Sequence, residues 1–127
     1  MKNSTIAAMI LAFLLILFGC NKEEPAAVSA AFTTNLVNNT VGVGDPVTVY
    51  LQDATGEFLT YFMGLDSTDS YGTGTGKSLE TGTDSLVLTY YTAGRYAFTL
   101  VAISYGNWGE TVSEARQSLD ITVVADE

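Results

Sequence analysis

An all-β domain of two antiparallel sheets packed face to face is predicted by three observations. Apolar and polar residues alternate along short runs from residue 31 onward. Gly, Asn, Asp and Pro punctuate those runs, and no window sustains helical spacing. The third is capacity: 127 residues, 47% hydrophobic and 15% charged, are enough for one core closed without disulfides.

The predicted strands, in order, are 31–36, 47–52, 58–63, 85–90, 95–105 and 119–124, with a weaker one at 77–80. Gly44-Asp45-Pro46 precedes the second, where proline can open a strand but cannot donate a ladder hydrogen bond within it. Val47, Val49 and Leu51 then form one inward row, and Asp53-Ala54-Thr55-Gly56 has the residues of a turn. Leu86, Leu88 and Tyr90 make a second row. In 95–105, Tyr96, Phe98, Leu100 and Ala102 share one face against Ala97, Thr99, Val101 and Ile103 on the other. Both faces are apolar, so this strand is expected at the centre of a sheet. Leu119, Ile121 and Val123 complete the inward rows, which pack about 10 Å apart in facing sheets.

Composition narrows function. The formal charge is −9, and binding a phosphate backbone requires clustered Lys and Arg, so no nucleic-acid partner is expected. The chain has no histidine and one cysteine. It therefore lacks the commonest general base, any Ser-His-Asp arrangement, an internal disulfide and a multi-cysteine metal site.

The start of the chain reads as an address. Lys2 precedes an uninterrupted apolar run at 6–18. At about 1.5 Å per residue, that run is too short for a hydrocarbon core of about 30 Å and has the length of a signal-peptide core. It ends in Leu17-Phe18-Gly19-Cys20, which resembles the lipobox of bacterial lipoproteins. The resemblance implies cleavage after residue 19 and acylation of Cys20, with chains such as palmitate holding the protein to a membrane. Several acyl chains, each gaining about 0.8 kcal/mol per buried methylene, anchor durably where one does not. Asn21-Lys22-Glu23-Glu24 is similar to the surface-export signal of Bacteroidota lipoproteins, which implies an outer-membrane, cell-surface location; the alternative is a charged, solvated linker. The expected organisation is a signal peptide at 1–19, a lipidated terminus and tether at 20–30, and the β domain at 31–127.

Within that domain, Tyr90-Tyr91-Thr92-Ala93-Gly94-Arg95-Tyr96 followed by alternating apolar residues resembles the C-terminal signature of PKD-type immunoglobulin-like domains. Val43-Gly44-Asp45-Pro46-Val47 is similar to that family's second strand, and Leu119-Asp120-Ile121-Thr122-Val123 to its last. The resemblance implies an immunoglobulin-like β-sandwich. One departure is clear: Tyr61-Phe62-Met63-Gly64-Leu65-Asp66 stands where the family carries Trp-Asp-Phe-Gly-Asp-Gly.

Several stretches suggest chemistry. Gly72-Thr73-Gly74-Thr75-Gly76-Lys77-Ser78 resembles a phosphate loop, but Tyr71 occupies the position of its first glycine and Gly82 interrupts the following segment. No nucleotide is expected, and the segment reads as a flexible connection. Asp66 and Asp69, with Asp84, offer oxygen donors for calcium; the alternative is turn-forming, solubilising residues. No other cofactor is expected. The carboxylates present no distinguishable glycosidase pair, and no catalysis is expected. Asp66-Ser67-Thr68 and Asp84-Ser85-Leu86 match the short O-glycosylation pattern of exported Bacteroidota proteins, which would place glycans on Ser67 and Ser85.

Aromatics point to recognition. Tyr105-Gly106-Asn107-Trp108-Gly109 is predicted as a loop between the last two strands, with Trp108 at its apex. Trp108, Tyr105, Asn107 and Tyr71 are the candidate ligand contacts, because flat aromatic faces stack on sugar rings and anchor protein contacts; the alternative for Trp108 is that it folds back over the sandwich edge as a cap for the core. Tyr90 and Tyr96 belong to the core. The function expected is a lipid-anchored binding or adhesion module recognising glycans or envelope or host proteins. The alternative is a spacer or accessory subunit of a glycan-uptake system, docking on another envelope protein through a strand edge.

Overall fold

The apolar rows become two facing sheets in the computed structural model, which describes residues 24–126. The apolar run at 6–18, Cys20, Asn21, Lys22 and Glu23 lie outside the described residues, and Glu24 is exposed at their start. Eight strands follow: β1 (Phe32–Thr34), β2 (Thr40–Gly42), β3 (Pro46–Leu51), β4 (Phe58–Phe62), β5 (Lys77–Leu79), β6 (Ser85–Thr89), β7 (Gly94–Gly106) and β8 (Thr111–Val124). One sheet has the order β1-β3-β6 and the other β2-β8-β7-β4-β5, so β7 sits in the middle of the larger sheet as its two apolar faces require.

The core lies where the rows meet. Val47, Val49, Leu88 and Tyr90 from the smaller sheet face Leu59, Phe98, Leu100, Ala102, Ile121 and Val123 from the larger one, all buried. Phe98 is wholly buried, with Phe32 edge-on at 5.2 Å and Tyr61 stacked at 6.1 Å between ring centroids. Each buried hydroxyl finds a partner. Tyr90 donates to the Met63 carbonyl at 3.0 Å, while its ring stacks on Tyr96 at 4.6 Å. Burial is the main reason the Tyr90 phenol is pushed far above its ordinary pKa. Tyr96 in turn donates to the Thr92 carbonyl at 2.5 Å, closing the turn that leads into β7.

Three features depart from the expectation. β2 was not anticipated, and it runs parallel to β8 while all other pairs are antiparallel. Between β1 and β2 the chain passes from the smaller sheet to the larger through a tight turn at Asn38 and Asn39, both left-handed (φ 52 and 54), closed by the Thr40 N–H to the Val37 carbonyl at 3.2 Å. Residues 28–30, expected in the tether, belong to the sandwich instead: Ala30 is buried, Val28 packs against the core, and Ser29 bridges to Thr55. The last strand begins at Thr111 rather than 119, so β7 and β8 form an unbroken hairpin from Gly94↔Val123 to Gly106↔Thr111. Its outer half has no fully buried side chain on β8, and backbone pairing to β7 holds it rather than apolar burial.

Candidate functional site

The outward face of the larger sheet is set by strand alternation. On β7, Phe98, Leu100 and Ala102 turn into the core, which turns Thr99, Val101, Ile103 and Tyr105 outward. The ladder then places Phe62, Thr60 and Phe58 of β4 on one side of these residues, and Ser118, Arg116, Glu114 and Val112 of β8 on the other. The face divides into a covered and an open zone.

The β4–β5 connection makes the covered zone. Gly76 runs so close to β4 that a Cβ there would lie 2.3 Å from Thr60 and 2.6 Å from Phe62. Tyr71 lies over the sheet, its ring edge-on to Phe62 at 5.9 Å, with the Arg116 guanidinium 4.6 Å from its centroid. The Tyr71 hydroxyl donates to Glu114, which raises the phenol pKa above its usual value. Beneath this strap, Phe62, Thr99 and Val101 are buried on what would otherwise be a solvent face, and Thr99 and Ser118 share a hydrogen bond of 2.8 Å. The connection is ordered by its own hydroxyls: Thr73 Oγ1 donates to the Ser70 carbonyl at 2.7 Å, and Thr75 Oγ1 donates to the Thr68 carbonyl. Expected as a flexible connection, it has instead the hydrogen bonding of a folded loop.

The open zone lies toward the hairpin tip. Phe58 and Tyr105 meet edge-on at 5.8 Å, Ile103 is directly opposite Phe58, and Val112 is directly opposite Tyr105. Phe58 and Val112, on the strands flanking β7 and on either side of Tyr105, are more than half exposed (57% and 55%). The backbone beneath is held firmly: wholly buried Ser104 accepts the Glu57 N–H on Oγ at 3.1 Å, and Glu57 accepts the Tyr105 N–H at 3.4 Å. Glu57, through its bond to the Tyr105 N–H, and Glu114, opposite Ile103, bring carboxylates to the patch, and Arg116 stands one pair further along, opposite Val101.

Above it the hairpin turns through Asn107, Trp108 and Gly109, all left-handed (φ 49, 58 and 89). Asn and Gly suit that geometry, and the Asn107 carbonyl accepts the Glu110 N–H at 3.1 Å. Trp108 does not suit it. A bulky side chain at positive φ costs on the order of 1 kcal/mol, and full exposure (104%) returns no packing.

Of the candidate contacts, Tyr71 and Tyr105 thus share one face, and Trp108 and Asn107 form the turn at its end. Phe58, Ile103 and Val112 complete the patch and were missed. Phe58 is detectable as the outward neighbour of inward Leu59; Val112 required the longer β8. The acidic residues do not converge. Asp66 Oδ1 is occupied by the Thr68 N–H (2.7 Å), the Thr68 hydroxyl and the Asp69 N–H, and the Thr68 bonds hold its carboxyl below the usual range. Asp84 precedes β6, in the other sheet, and among the described residues no group of three acidic side chains could hold a metal ion. Ser67 and Ser85 are exposed on separate elements.

Fold and site together define a two-sheet β protein with an exposed aromatic face rather than an enclosed cleft. No family profile matches the chain, and no curated protein does. Among solved structures it is similar to a superoxide reductase (neelaredoxin) from Ignicoccus hospitalis, at TM-score 0.32 and 16% identity over 81% of this chain and 82% of that one. A likeness so loose transfers no activity.

Proposed function

We propose that this protein is a lipid-anchored, non-catalytic binding module of the outer membrane, displayed at the cell surface, with an immunoglobulin-like sandwich of PKD type. The sandwich type is supported by the strand order and by the Tyr96–Thr92 bond. A tyrosine at the start of the penultimate strand, bonded to backbone a few residues upstream, recurs in immunoglobulin-like folds. The anchor rests on Leu17-Phe18-Gly19-Cys20, and the surface location on the acidic tract after it. A clickable fatty acid fed to the native host is expected to label the wild-type chain and not Cys20→Ser. Equal labelling of both, or of neither, contradicts the anchor.

One observation carries the recognition reading: Trp108 is held in a conformation that disfavours tryptophan, at a position that gives it no packing. Stability does not account for that residue, whereas stacking on a ligand does. Beside it, the Phe58–Tyr105–Val112 patch offers a flat apolar platform with carboxylates at its rim, suited to the apolar face of a sugar ring and its hydroxyls. An array of glycans and host-matrix proteins probed with the protein is expected to yield a glycan ligand. Trp108→Ala should weaken that binding by about tenfold or more while changing stability by under about 0.5 kcal/mol. Absence of any glycan ligand, or binding indifferent to the substitution, removes the proposal.

A further inference from the structure

The outer edge of β8 is open. β2 covers it only at Thr122–Val124, through the Thr122 N–H to the Asn39 carbonyl and the Val43 N–H to the Val124 carbonyl, both 2.9 Å. Along the preceding residues, β7 pairs on one side and, among the described residues, no strand pairs on the other. The Thr122 N–H points away from β7, and residues two apart in a strand point the same way. Val112, Glu114, Arg116, Ser118 and Asp120 therefore present their N–H and C=O groups to the open side. A free edge of this length is a template for another strand.

We infer that two copies of this chain pair antiparallel along β8, about a two-fold axis at Ala115, joining their larger sheets into one. Charge sets the register. Identical antiparallel strands must pair residues of the same parity, because both members of a hydrogen-bonded pair have to face the partner. Centring on residue 114 places Glu114 opposite itself, and centring on 116 places Arg116 opposite itself. Centring on 115 places Glu114 of each copy opposite Arg116 of the other, twice by symmetry, with Val112 opposite Ser118.

The remaining residues agree with that register. Glu114 and Arg116 both belong to the set that faces the open side, so the complementary pairs are also the hydrogen-bonded ones. The closest approach falls at Ala115 with its own copy, where Cα atoms of a non-hydrogen-bonded pair stand about 4.5 Å apart and a small side chain fits. The Tyr71 strap already holds Glu114 and Arg116 side by side on the outer face. Pairing brings the two aromatic faces onto one continuous sheet, so the assembly is bivalent.

The test is the oligomeric state of the full chain in detergent, by sedimentation velocity across a concentration series. Wild type is expected to dimerise. Glu114→Arg and Arg116→Glu should each weaken the dimer by about tenfold or more, since each creates two like-charged pairs, and the double exchange should restore it. A second measurement is independent of those charges. In a Cys20→Ser background, Ala115→Cys is expected to cross-link to itself on mild oxidation, while Ser113→Cys, which would face Gln117, is not. A monomer throughout, a dimer indifferent to the charge reversals, a double exchange that fails to restore it, or cross-linking at 113 in place of 115 overturns the inference.

Discussion

Replacing Phe98 by alanine is expected to remove about 3–5 kcal/mol of stability, read as a lowered urea midpoint at unchanged slope. Phe98 is wholly buried on the central strand of the larger sheet, and its ring touches both layers. Phe32 from the smaller sheet meets it edge-on, and Tyr61 from the neighbouring strand stacks on it. Alanine would open a cavity among side chains fixed by two ladders, which can collapse only in part. Domains of this kind retain roughly 5–15 kcal/mol in all, so the variant would stand near its unfolding threshold. Phe98→Leu keeps most of the volume and loses the aromatic pairings, and should cost less than half as much. Equal, small losses for both variants would mean that the sheets do not meet at Phe98.

Gly64→Ala is expected to cost about 2–4 kcal/mol, by a different route. Gly64 turns the chain out of β4 at φ 76, a conformation that alanine adopts only under strain. Its Cβ would stand 2.6 Å from the carbonyl oxygen and 2.8 Å from the nitrogen of Ala97, both backbone atoms of the central strand. Neither side can yield. Met63 before the turn is buried and its carbonyl is held by Tyr90, while the Gly64 N–H is bonded to the Asp69 carbonyl at 3.1 Å. Gly74→Ala provides the comparison: φ is also positive, at 80, but nothing lies within 4 Å of the added carbon. That substitution should cost about 1 kcal/mol, the conformational part alone. Similar losses at the two glycines in urea unfolding would contradict the close approach of residue 64 to β7.

What could be read from the residues, and what could not, follows from how each strand is held. β3, β6, β7 and the last third of β8 were legible because Val47, Val49, Leu88, Phe98, Leu100, Ile121 and Val123 are buried at a two-residue period. That period is the signal that alternation carries. β2 contributes only Val41 to the core and follows two asparagines, so its composition is that of a turn. From Thr111 to Ser118, β8 alternates Ser, Ala and Gln with Val, Glu, Arg and Ser, and the partner that makes it a strand is β7, not the core. A segment held by its neighbour's backbone has no hydrophobic signature of its own.

The site shows the same division. Tyr105, Asn107 and Trp108 stood out because Gly and Asn mark the turn that carries them. Tyr71 stood out only as an aromatic in a loop. Its place over Phe62, between Glu114 and Arg116, depends on the path of the β4–β5 connection, which local sequence does not encode. In the sequence Phe58 reads simply as the first residue of a strand. Its exposure became meaningful once the register set it against Ile103 and beside Tyr105.

The most direct test of the recognition face uses the chain's single tryptophan, since its emission reports on Trp108 alone. The free protein is expected to emit at the red-shifted wavelength of a water-exposed indole and to be fully accessible to an aqueous quencher. Adding the array-selected glycan should shift the emission to the blue and shield the ring. Blue-shifted emission that resists quenching in the free protein would place the indole against the fold and contradict an open aromatic face.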